Sequence, residues 1–142
     1  MKLSSIALLI STLFSIASFA ETPADTSQLE KNKAKIVSRL YQATYGRKEG
    51  CKKATPDVAA EFESELTRFV ENNDNLIKLV IHSPYYDRAR QIFSKHETLD
   101  PVRDTPEKLG VECKYLAQLL RSMSDTSEGK KAVKEYEEIL SK

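Results

Sequence analysis

The chain is short of the residues on which most chemistry-bearing motifs are built. Its 142 residues include two cysteines and two histidines, with four glycines, at 46, 50, 110 and 129. Glycines so sparse leave neither a Gly-rich phosphate loop nor a Gly-x-Ser-x-Gly elbow. His82 and His96 fall outside any recognised zinc-ligand spacing and read as surface or hydrogen-bonded core histidines. Cys51 and Cys113 lack the Cys-x-x-Cys spacing that tunes a redox thiol, and no haem-attachment motif is present. No catalytic residue, metal ligand or cofactor is therefore expected.

Charge of one sign is also lacking. Once Lys2 is set aside with the leader, 21 basic and 21 acidic residues remain. That balance argues against a general nucleic-acid binder, which needs a basic excess to displace phosphate counterions. It gives equally little reason to expect adhesion to anionic lipid. A charged partner would have to be met by a local patch.

One long apolar run exists, from Ile6 to Phe19, behind the positive start Met1-Lys2. Ser18-Phe19-Ala20 places small residues where a signal peptidase reads, so residues 1–20 are expected to be a secretory signal peptide cut after Ala20. The run is too short and serine-rich to prefer a spanning helix, and no cysteine follows the cut to carry lipid. The product is expected to be periplasmic or secreted, with no membrane insertion after cleavage. In that setting Cys51 and Cys113 pair as one disulfide, rather than acting as free thiols.

What is present in quantity is helical periodicity. The stretch Thr105–Met123 places Leu109, Cys113, Leu116, Leu120 and Met123 on one narrow arc, with Ala117 and Leu119 widening it. A cysteine inside that stripe makes the segment the expected hub of the core. Residues 21–26 read as a flexible leader, and 27–142 as one helical domain. Ser27-Gln-Leu-Glu30 has the form of a capping box, opening a helix from 27 to about 45 that Gly46 ends. Thr55-Pro56-Asp57 starts another, carrying Val58, Phe62, Leu66 and Phe69 to about Glu71.

The run Asn72-Asn73-Asp74-Asn75 breaks the pattern. Leu76–Ile81 is apolar almost all round and reads as a short buried helix, because no second strand candidate exists for it to pair with. Ser83-Pro84 starts a helix to about Lys95 with Tyr85, Ala89, Ile92 and Phe93 inward. Glu97–Asp104 is the longest irregular connection. Asp125-Thr-Ser-Glu128 precedes a last helix built on Ala132, Val133, Tyr136, Ile139 and Leu140. The fold class is all-α: a single small bundle of five to six amphipathic helices with one disulfide, which ties the loop after the first helix to the second turn of the hub.

Candidate sites are few. Glu61, Glu63 and Glu65 fall largely on the polar side of a surface helix and read as a solvated face. Ser83–Arg90 is the most unusual local composition, with Tyr85, Tyr86, Arg88 and Arg90 together. Tyrosine and arginine are enriched at protein–protein hot spots. Tyr85 is expected to face the core, with Tyr86 at the edge beside Arg90, either as a cation–π pair or as part of an interface. Tyr41, Tyr45 and Arg47 form a second half of that patch, or pack on a neighbouring helix. The expected activity is binding of another protein, as a periplasmic inhibitor or immunity protein. A stress holdase is the alternative, with a small-ligand carrier or an unassigned enzyme behind it.

Overall fold

The computed structural model describes residues 26–97 and 104–142, so the expected signal peptide, its cleavage site and most of the Glu97–Asp104 connection lie outside the described residues. Among the described residues seven helices follow in order: α1 (Thr26–Ala43), the single turn α2 (Lys48–Cys51), α3 (Pro56–Asn72), α4 (Asp74–Ile81), α5 (Tyr86–Glu97), α6 (Pro106–Asp125) and α7 (Ser127–Ser141). No strand occurs among the described residues. The all-α reading is correct.

The hub is where periodicity put it. Leu109, Cys113, Leu116, Ala117, Leu119, Leu120 and Met123 of α6 are all buried. Its broadest contact is with α3, through Phe62, Leu66 and Phe69, and its next with α7. Ile36, Val37 and Leu40 of α1 and Leu76, Ile77 and Val80 of α4 complete the core. The disulfide joins α2 to the second turn of α6, with Cα atoms 5.7 Å apart.

Helix ends show which local signals operate. Thr105 Oγ1 accepts from the Lys108 amide, and Thr126 Oγ1 accepts from the Gly129 amide, each meeting a first-turn N–H that lacks a helical partner. Thr55 places no such bond, so proline at the first position of α3 carries that start. Asn73 separates α3 from α4, its side-chain amide donating to Phe69 O in competition with the helix ladder.

Three boundary expectations are corrected. The first helix begins at Thr26, which puts Ser27 inside it, and Glu30 turns to Lys33 and Tyr85. That helix stops at Ala43, two residues early, because Thr44 bonds the Leu40 carbonyl through its hydroxyl while the Gly46 amide donates to Tyr41 O. Gly46 has no left-handed backbone. A side chain there would meet Gln42 Cα and Tyr41 O at 3.2 Å, so glycine is favoured by close approach. Finally α5 begins at Tyr86, since the Tyr85 amide is held by Ser83 Oγ in a turn.

Candidate functional site

The tyrosines singled out in the sequence converge on the contact between α1 and α5, but in a different arrangement. Tyr41 is buried, its ring edge-on to Tyr86 at 5.5 Å and stacked on Phe93 at 6.0 Å. Tyr45 is half-buried beside them, and burial followed by the nearby Tyr86 phenol pushes its pKa up. These three tyrosines therefore dock α5 onto α1, so Tyr41 is not available as an interface residue. Tyr86 turns to Tyr41 and not to Arg90, which is exposed. Tyr85, expected to face the core, packs partly buried against it and reaches across to donate its hydroxyl to the Glu30 carboxylate. That bond, then Lys33, holds Glu30 below the usual carboxylate range, and the same bond, then burial, raises Tyr85.

Arg47 is a second correction. It is buried, donating to Glu112 at 2.7 Å and to Asp104 at 3.3 Å. Its charge is met by partners from the other end of the chain, so it belongs to the scaffold around the disulfide. Two glutamates of α3 are corrected likewise, while Glu63 is exposed as expected. Glu61 and Glu65 accept from Arg121 at 3.0 Å each, and Arg68 bridges Glu65 and Asp125 at 2.8 and 2.9 Å. Burial pushes Glu65 up, yet hydrogen bonds from Arg68 and Arg121 outweigh it and leave its pKa lowered. Glu61 and Glu65 thus tie α3 to α6. The lowered pKa makes Glu65 a poor general acid.

Between α1 and α5 lies an open groove of about 410 Å³. Its walls carry Lys31, Lys35 and Arg39 from α1 and Arg88 from α5, and its floor carries Ala34, Ala89 and Ile92. No carboxylate is among its described lining residues. The three α1 cations recur every four residues, so they rise on one face of the helix. Ile92, expected in the core, is half-exposed here at 50 %. Among the described residues α5 packs chiefly on α1, and no other helix makes comparable contact with it. Of the expected interface residues, Tyr85 and Arg88 line this groove.

The chain matches no protein-family model, no curated protein and no solved structure. Its site is read from its own residues.

The stripe Lys31, Lys35, Arg39 was legible as a four-residue repeat of positive charge, but a charged helix face ordinarily means only solvent. Its significance comes from the apolar floor that α5 sets beside it. Elsewhere the described residues form no cluster of three His, Cys, Asp or Glu side chains able to hold a metal ion. No described helix is long and apolar enough to cross a membrane.

Proposed function

We infer that the protein works by binding another protein, as an exported inhibitor of the immunity type. The observation that carries this reading is the α1–α5 groove: Lys31, Lys35 and Arg88 over an apolar floor with no carboxylate among the described lining residues, on a chain of near-neutral charge. Charge segregated against an otherwise balanced surface provides steering and partner choice. The exposed Ile92 and the long aliphatic stems of Lys31, Lys35 and Arg88 provide apolar contact beneath the charges. Export to an oxidising compartment accords with the disulfide.

A holdase needs broad apolar surface, and its expected source, Leu76–Ile81, has Leu76, Ile77 and Val80 buried. The large hydrophobics exposed among the described residues, Ile81, Ile92 and Val111, lie on three different helices. The two readings separate in one experiment. The oxidised protein is passed through extract of its native compartment on a size-exclusion column, and is also added to several unrelated aggregating clients. One stoichiometric complex, lost in Lys35→Glu/Arg88→Glu, with no client protected, is the expected result. Protection of several clients without a discrete complex would discard it.

A further inference from the structure

The geometry points to one kind of occupant for the α1–α5 groove: an acidic amphipathic helix of a partner protein, laid along α1 to make a three-helix layer with α5. This rests on the protein-binding reading and names the partner's chemistry.

Shape gives the first argument. The floor is built from small residues, Ala34 and Ala89, with Ile92 as one projecting apolar side chain. Small residues at a helix contact let a third backbone approach to about 8–10 Å, the spacing of packed helices. α5 buries only Ala89 among its described side chains, and among the described residues this far wall packs chiefly on α1.

Register gives the second. Lys31 and Lys35 stand one four-residue step apart, which at helical rise is about 6 Å along the α1 axis. A helix lying alongside repeats its own side chains at the same step. Acids at i and i+4 on one flank therefore meet Lys31 and Lys35 in turn, while an acid on the opposite flank meets Arg88. An extended strand, advancing about 3.3 Å per residue, places successive same-side groups at about 6.6 Å but leaves its backbone hydrogen bonds unmet, for no sheet edge lies among the described residues.

Charge gives the third. Among the described residues the groove lining carries no carboxylate, and Glu30 is already engaged by Tyr85 and Lys33. An acidic occupant is met by cations from both walls. A basic one is repelled by both.

The test uses the full disulfide-bonded chain and a fluorescein-labelled synthetic helix of 20 residues, with leucines on one face, glutamates at i and i+4 on one flank and a glutamate on the opposite flank. A twin replaces each glutamate by lysine. Fluorescence anisotropy is expected to show saturable binding of the acidic peptide only, weakening steeply with salt. Lys35→Glu/Arg88→Glu should lower its affinity by about tenfold or more and should raise that of the lysine twin. Both substitutions are on exposed side chains, and an unchanged circular dichroism melt verifies the fold; chemical-shift mapping of the unmodified protein gives the same answer without any variant. Equal binding of the two peptides, or none, overturns the proposal. So does binding to phosphatidylglycerol vesicles in place of the peptide. A native complex indifferent to the charge reversals would end this inference while leaving protein binding intact, whereas protection of many clients would end both.

Discussion

The Arg47 guanidinium sits 2.7 Å from the carboxylate of Glu112, the residue next to Cys113, so an ion pair and a disulfide close on the same two segments. Asp104 completes the arrangement from just before α6, its side chain 3 % exposed. Two closures of different chemistry thus pin the link between α1 and α3 to the hub.

Their contributions should separate. The disulfide joins residues 62 apart, for which the chain-entropy relation gives about 4 kcal/mol. Reduction, or Cys51→Ser/Cys113→Ser, should lower the urea midpoint by a corresponding amount. Arg47→Met should cost about 2–4 kcal/mol even with the disulfide intact, because Asp104 keeps a buried charge. Glu112→Gln should cost under about 1 kcal/mol, since that side chain is 40 % exposed.

Two glycines should respond with opposite sign. A Cβ at Gly129 would lie 2.2 Å from Ser122 O and 2.5 Å from Met123 Cα, both backbone atoms at the end of α6. Gly129→Ala should therefore force α7 away from α6 and destabilise by about 2–3 kcal/mol, despite better helix propensity. At Gly110 a Cβ meets nothing within 4 Å, so Gly110→Ala should stabilise by about 0.5–1 kcal/mol. Thermal melts of both variants check the pair.

Acid should weaken the α3–α6 contact. Glu65 and Asp125 are held below their ordinary values of 4.5 and 3.8, Glu65 by Arg68 and Arg121 against its burial and Asp125 first by Arg68. A carboxyl whose folded pKa is depressed contributes stability above its unfolded pKa, and this is lost as pH falls through the folded value. The urea midpoint should thus be level from about pH 7 to pH 5 and fall below about pH 4.5. Arg121→Gln should lower the plateau and shrink the fall, because Glu65 then titrates nearer its ordinary value.

The tyrosines that dock α5 should differ in what they report. Tyr41→Ala removes a buried ring shared by α1 and α5 and should cost about 3–5 kcal/mol globally. Tyr86→Ala should instead loosen α5 selectively, raising amide exchange in that helix by roughly tenfold while α6 is unaffected. Tyr85→Phe should alter the phenol titration and leave Tyr41 packing intact, as its hydroxyl alone meets Glu30.

The hub helix, the Cys51–Cys113 bond, the break at Asn73 and the apolar helix after it were all readable in the chain. Arg47 and the tyrosines were not. Arg47 looked like a surface charge beside a glycine, yet its acceptors lie 57 and 65 residues further on. Tyr85 and Tyr86 were assigned opposite roles because a helix starting at Pro84 was assumed, whereas Ser83 holds Tyr85 in the turn before it.

Which segments coil, and which arc of each is apolar, was decided by the amino-acid order alone, because those bonds and contacts run between residues three and four apart. Which cations remain to meet a partner was decided only in three dimensions. Arg68 and Arg121 stand on helix faces as charged as the one carrying Lys31 and Lys35, and were neutralised because folding set Glu61, Glu65 and Asp125 against them. On the α1–α5 groove folding set alanines and an isoleucine there instead.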